Sequence, residues 1–312
     1  MIRYYIIFST FLSFSLSPKS FSQALRPIGE IKNLDPEDVA IGKMLYYDKR
    51  LSKNKDVSCA SCHPIYSGGA DGLKLSKGTG GAVTGYNTPS ILNAAIVSKC
   101  GWEGATLNLK EATRKAIKAP KAMAMEEVDV VAFVSADPTY LAAFNRKYGK
   151  PSMDAVLDSL VAFNRYLTPG PSRFDKYLNG DRTALSEQEI HGYQRFKDLG
   201  CVSCHQGKGV GGNMFAKFGV MTDLFAEDPT SNKGRYNVTK NEEDMHFYRV
   251  PSLRNVALTA PYFHDGRAPD IFTAVRTMGF VQLGRKLSDK DVESIVSFLN
   301  SLTGDIKKDL LP

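Results

Sequence analysis

Tryptophan is nearly absent from this 312-residue chain, which holds one, Trp102; histidine and cysteine are also scarce, at five each. With so few of them, a recurring arrangement of histidine and cysteine is not a by-product of abundance. Long hydrophobic runs are missing too. After Tyr4 to Leu16, no segment approaches the roughly 20 apolar residues that a membrane helix needs, so no membrane span is expected in the mature form. Strand-like alternation is sparse, which argues against a β-rich fold. The net charge of +7 is a moderate excess with no Lys/Arg cluster interleaved with aromatics, so it does not argue for nucleic acid, and no nucleic-acid partner is expected.

The scarce residues repeat. Cys59-Ala60-Ser61-Cys62-His63 returns 142 positions later (201 − 59) as Cys201-Val202-Ser203-Cys204-His205. C-x-x-C-H is the spacing of covalent c-type haem attachment. Two thiols three apart lie about one helical turn from each other, so both can add to the vinyl groups of one porphyrin. The next residue then sets an imidazole beneath the iron. The alternatives are a disulfide, a zinc site or a thioredoxin-like redox motif. A four-cysteine zinc site needs neither His63 nor His205, and a redox motif would not place histidine identically twice. Two covalently bound haem c groups are therefore expected, one on Cys59 and Cys62 with His63 as proximal iron ligand, the other on Cys201 and Cys204 with His205. Cys100 is left over and reads as a small buried apolar residue.

The N-terminus suggests a compartment. Arg3, the apolar run from Tyr4 to Leu16 and the small-x-small pattern Ser20-Phe21-Ser22 read as a cleaved signal peptide over residues 1–22. Losing Arg3 and Lys19 lowers the net charge to +5 (7 − 2). No cysteine stands at the cleavage site to carry a lipid. Export to the periplasm agrees with the motifs, because c-type haem is joined to protein outside the bacterial cytoplasm.

The periodic segments are helical. Asp35-Pro36 is an N-cap with proline at the first helical position, leading into Val39, Ile41, Met44 and Leu45. Met153, Val156, Leu157, Leu160 and Val161 keep helical spacing. Ser186 to Glu189 is a capping box, opening a helix through Phe196 that stops at Gly200. Ser288 opens a last helix with Val292, Ile295, Val296 and Leu299 on one face, ended by Gly304. Glycine-rich loops, Gly68 to Gly85 and Gly207 to Gly212, follow each motif. The expected fold class is all-α: after the signal peptide, two cytochrome c-like haem domains in tandem, at 23–168 and 169–312, with Leu167 to Pro171 as linker.

Three stretches besides the motifs go further: Asn87-Thr88-Pro89-Ser90, the run from Tyr248-Arg249-Val250-Pro251-Ser252 to His264-Asp265-Gly266, and the close from Met278 to Gly304. With Cys59 to Pro64, they resemble the bacterial di-haem cytochrome c peroxidases, a family that includes the MauG-type enzymes maturing tryptophan-derived quinones. The likeness runs from about Ile41 to Gly304. It implies a low-potential N-terminal haem where hydrogen peroxide is cleaved. It also implies a high-potential C-terminal His/Met haem that takes electrons from a small soluble cytochrome c or cupredoxin. By that likeness Met278 is the second iron's axial ligand, Trp102 the relay between haems, and Asn87, Thr259 and Pro261 a calcium site. His264 reads as a propionate or fold partner, while His191 and His246 fall on polar segments with no assigned role. Homodimers are frequent in the family, so a homodimer is compatible with it.

The chain also departs from its family. Where relatives carry a distal histidine, a glutamine and a glutamate around the first haem, this sequence has Thr79, Ala112 and Ala122, the last followed by Met123. An arginine before Asn-Thr-Pro is replaced by Tyr86. Peroxide heterolysis needs a group to move a proton between the two oxygens, and alanine offers none. Glu126 and Glu127 are substitutes only if the loop is re-registered, and Met123 or Met125 could instead close the first iron. The leading expectation is a peroxidase. Its rival is a di-haem electron-transfer or protein-oxidising relative without efficient peroxide turnover.

Overall fold

The computed structural model describes residues 24–29, 31–225, 231–307 and 310; residues 1–22, expected to be a signal peptide, lie outside the described residues. The first half contains α1 (Pro36–Tyr47), α2 (Cys59–Cys62), α3 (Leu109–Lys118), α4 (Glu127–Ala136), α5 (Pro138–Tyr148) and α6 (Met153–Tyr166). There follow α7 (Arg173–Leu178), α8 (Glu187–Asp198), α9 (Tyr236–Thr239), α10 (Ile271–Leu283) and α11 (Asp289–Ser301). Among the described residues the all-α expectation has one small exception, an antiparallel ribbon of β1 (Phe215–Lys217) with β2 (Phe247–Arg249), in which Ala216 pairs with Tyr248.

The caps read from the sequence form. Asp35 accepts from the backbone N–H of Glu37 at 2.9 Å with Pro36 at the first position of α1, and Ser186 makes a reciprocal capping box with Glu189 at α8. Side-chain oxygens here satisfy donors that the first helical turn leaves unpaired. The buried stripe of α1 differs from expectation, because Gly42 and Tyr46 join Ile41 and Leu45 while Met44 is exposed.

Gly42 explains that shift. A Cβ there would collide with the Ser159 carbonyl oxygen and Phe163 Cβ of α6. The same arrangement recurs in the second half, where a Cβ on Gly192 of α8 would meet the Ser294 carbonyl oxygen and approach Phe298 of α11. Each crossing brings two helix backbones together at a residue without a side chain, beside a phenylalanine four residues beyond a serine. Two apolar cores form around these crossings. One gathers Leu45, Tyr46, Leu157 and Phe163, the other Phe174, Phe196, Ile295 and Phe298.

The segment expected to be a linker is not a free one. Leu167, Thr168 and Pro169 are buried, and the Gly170 N–H donates to the Asp305 carbonyl at 3.0 Å. The ends of the chain cross over as well. Leu25 packs in the second core, while Leu310 packs in the first, its carbonyl accepting from Tyr47 Oη at 2.9 Å.

A buried ion pair ties the second half together. Arg254 Nη1 donates to Asp175 Oδ2 at 2.7 Å, with the two side chains 1% and 0% exposed. The remaining donors and lone pairs are met by the Lys208 and Arg26 carbonyls, Ser172 and the Ile28 N–H. Removing one partner of such a pair strands the other charge. Asp175→Ala is therefore expected to cost about 3–5 kcal/mol of stability, read from chemical denaturation of the holoprotein; a loss below about 1 kcal/mol, the scale of an exposed pair, would contradict this.

Candidate functional site

The two motifs are built alike. Ser58 and Ser61 cap each other at α2, and the His63 N–H closes on the Cys59 carbonyl at 2.9 Å. In the second half Gly200, at φ 89°, ends the turn after α8 and feeds directly into Cys201. There the His205 N–H reaches the Cys201 carbonyl at 3.0 Å. His63 Nδ1 lies 3.1 Å from the Gly69 carbonyl. His205 Nδ1 is buried without a well-formed bond, in surroundings that include the Val210 and Pro251 backbone. An Nδ1–H held on a carbonyl leaves Nε2 with the lone pair for a metal. Burial keeps both imidazoles neutral, lowering His63 and pushing His205 down to about 4.

Burial also acts on the thiols, pushing Cys59 up to about 12 and Cys62 and Cys201 up to about 11. A thioredoxin-like motif depends on a lowered thiol pKa, so the shift runs against that alternative.

A second repeat supports the first. Pro89-Ser90-Ile91-Leu92-Asn93 returns 162 residues later (251 − 89) as Pro251-Ser252-Leu253-Arg254-Asn255. Ser90 Oγ donates to the Gly68 carbonyl at 2.6 Å, as Ser252 Oγ does to Gly209 at 2.8 Å. Asn93 and Asn255 both take left-handed backbone, at φ 67° and 60°, and meet each other, Asn93 Nδ2 donating to Asn255 Oδ1 at 3.1 Å. This repeat is visible in the sequence itself as a second self-match at an offset different from that of the motifs.

One cavity of about 760 Å³ connects the two motifs. Cys59, Cys62, His63, Cys201, Cys204 and His205 line it, and so do Trp102, Met278, Asn87, Thr259 and Pro261. Trp102 Nε1 donates to the Asn87 carbonyl at 2.8 Å, and the ring meets His264 edge-on at 6.3 Å. His264 is buried, stacks on Tyr248 at 4.0 Å and is pushed down to about 4 by burial. Met278 lies within α10 beside helical, buried Gly279, which packs against Leu287; no turn occurs there. The helix brings Ala274, Val275, Met278 and Gln282 to the cavity on one face. His246, expected on an exposed segment, instead packs against Phe225 at 4.4 Å.

Among the described residues the cavity lining holds one carboxylate, that of Glu103. Ala112, Ala122 and buried Met123 line the cavity too. Thr79 does not, because its Oγ1 donates to Asp56 at 2.7 Å while its N–H holds the Ala122 carbonyl at 2.7 Å. Glu127 is paired with Arg114 at 2.5 Å and exposed Glu126 approaches Lys118 at 3.8 Å, so neither serves as the substitute considered above. Met125 packs on the first core instead of lining the cavity.

The donor set suits haem. Besides the paired thiols and oriented imidazoles, Arg249 lines the cavity while buried, and its guanidinium bonds only carbonyls, Gly101 at 2.9 Å and Val250 at 3.5 Å. Burial lowers its pKa, and an anionic propionate is the kind of partner such a cation wants.

Comparison with known proteins agrees. A profile described as di-haem cytochrome c peroxidase matches residues 36–183. The cytochrome c551 peroxidase of Nitrosomonas europaea is 40% identical over 90% of this chain and 85% of its own. The chain belongs to the di-haem cytochrome c peroxidase family. It is an oxidoreductase of that type, and membership implies haem c. The cytochrome c peroxidase Ccp of Escherichia coli K12 is 39% identical over 92% of this chain, which spans 63% of that longer relative. Among solved structures, a MauG-like protein associated with microbial copper homeostasis superposes with a TM-score of 0.77 at 26% identity, over 93% of this chain and 95% of its own.

Proposed function

We propose that this protein is a periplasmic di-haem peroxidase that reduces hydrogen peroxide to water with electrons from a small soluble cytochrome c or cupredoxin. The observation that supports it is the single cavity walled by both C-x-x-C-H motifs, Trp102 and Met278. Haem iron held at these motifs would supply the electrons for cleaving the O–O bond. In this reading residues 23–168 hold the peroxidatic haem through Cys59, Cys62 and His63. Residues 169–312 hold the electron-accepting haem through Cys201, Cys204, His205 and Met278. Trp102 lies on the electron path, and Arg249 neutralises propionate charge. Export is supported by the character of residues 1–22.

A calcium ion is proposed at Asn87, Thr259 and Pro261. Asn87 Nδ2 donates to the Leu73 carbonyl at 2.8 Å, turning Oδ1 into the oxygen available to a cation, and amide and carbonyl oxygens are suitable hard donors.

A second reading has its own support. Ala112 and Ala122 offer no acid–base group at the positions where the family has its distal glutamine and glutamate, and buried Met123 lines the same cavity. That combination favours a di-haem electron-transfer or protein-oxidising relative without efficient peroxide turnover. One experiment separates them: the spectrum of the half-reduced protein, followed by peroxide with reduced small cytochrome present. A high-spin first haem with steady donor oxidation is expected for the peroxidase. Two low-spin haems with no peroxide-dependent oxidation would establish the other reading.

A further inference from the structure

Tyr86 stands where relatives carry arginine, and its surroundings are not those of a filler. It packs in a cluster with Trp102, Phe218, Tyr248 and Met278, and it lines the cavity between the motifs. Its Oη has two acceptors in reach, Glu103 Oε1 and, at 2.8 Å, Asn232 Oδ1. Glu103 Oε1 also accepts from Asn237 Nδ2 at 2.7 Å. Two aromatic side chains are thereby cross-tied: Trp102 bonds the carbonyl of the residue after Tyr86, and Tyr86 bonds the carboxylate of the residue after Trp102.

The two rings have different proton acceptors. The Trp102 N–H faces an amide carbonyl, which is no base, so an oxidised indole there keeps its proton and its positive charge. The Tyr86 O–H faces a carboxylate, and a hydrogen bond of this charge-assisted kind is a ready proton path.

Building on the peroxidase reading, we infer that Tyr86 and Glu103 form a proton-coupled redox site that holds one oxidising equivalent beside the inter-motif path. The Tyr86 O–H bond breaks, its proton passes to the Glu103 carboxylate, and one electron leaves through Trp102 toward the cofactor, with hydrogen peroxide as the ultimate oxidant. The neutral phenoxyl radical is refilled by one electron from the small-protein donor, and the proton returns from Glu103. Charge at the pair is conserved apart from the single electron, so no buried charge is left unpaired by the cycle.

The test mixes the holoprotein with stoichiometric hydrogen peroxide, freeze-quenches it for EPR, and measures peroxide loss in parallel. Wild type is expected to show a tyrosyl signal that Y86F abolishes. Incorporating 3-fluorotyrosine at position 86 preserves the hydrogen bond and should add fluorine hyperfine splitting, which locates the spin even if Y86F folds poorly. E103Q should slow radical formation by about a hundredfold or more, the scale for losing a placed proton acceptor. Peroxide consumed with no radical, or with one that persists in Y86F and lacks fluorine splitting, overturns this inference and leaves the peroxidase reading standing. Peroxide left unconsumed overturns both.

Discussion

Glutamate in place of Ala122 is expected to raise the rate of peroxide-driven donor oxidation by about 10²–10⁴, the usual contribution of one positioned acid–base group. Ala122 lines the cavity near His63, and its backbone is pinned from behind by the Thr79 N–H at 2.7 Å. A longer side chain at this position therefore extends into the cavity. Ala112, Ala116, Ile117, Ala119 and Met123 line the same cavity, with Lys115 as the nearby cation in sequence, and desolvation by the apolar ones favours the protonated acid. A122Q supplies the same bulk without the proton and should stay at the wild-type rate. E127Q should also leave the rate unchanged, because that carboxylate is engaged by Arg114 at 2.5 Å. Stopped-flow donor oxidation measures all three. Equal rates for A122E and A122Q would mean that proton transfer at this position does not limit turnover.

Met278→His should lower the potential of the second haem by on the order of a few hundred millivolts, a fraction of the roughly 0.8 V that axial ligation spans. A thioether raises the potential of the iron it binds, whereas a second imidazole does not. Met278 reaches the cavity from the same face of α10 as Ala274, Val275 and Gln282, a rigid placement better suited to holding a ligand than a loop would be. Spectroelectrochemical titration of each haem in wild type and variant gives the result. With the second haem lowered toward the first, electrons from the donor should no longer collect there, and peroxide-dependent donor oxidation should fall with it. An unchanged potential would reduce Met278 to a packing partner of Phe218 and Val281.

The sequence and the structure divide the account by distance along the chain. Attachment chemistry is local: thiols at i and i+3 and an imidazole at i+4 fall together wherever one turn forms, so Cys59 to His63 and Cys201 to His205 were legible without coordinates. Caps are local as well, and Asp35, Ser186 and Ser288 begin the helices that they were expected to begin. Whether a side chain faces a cavity depends on packing between distant segments, and here the sequence was silent or misleading. That Met278 would reach the cavity from within a helix, with Gly279 packed on Leu287, could not be read from the sequence. Leu167 to Pro169, read as a linker, are buried. Thr79 turns from the cavity to Asp56.

Composition, periodicity and spacing thus establish a helical protein built to carry two c-type haems, because each of those features is a property of neighbouring residues. Which residues wall the space between the haems is a property of the folded chain. Trp102, Met278, Tyr86 and Glu103 line it from segments far apart in the chain, in a fold whose helix pairs close at Gly42 and Gly192, where the lack of a side chain lets two backbones approach.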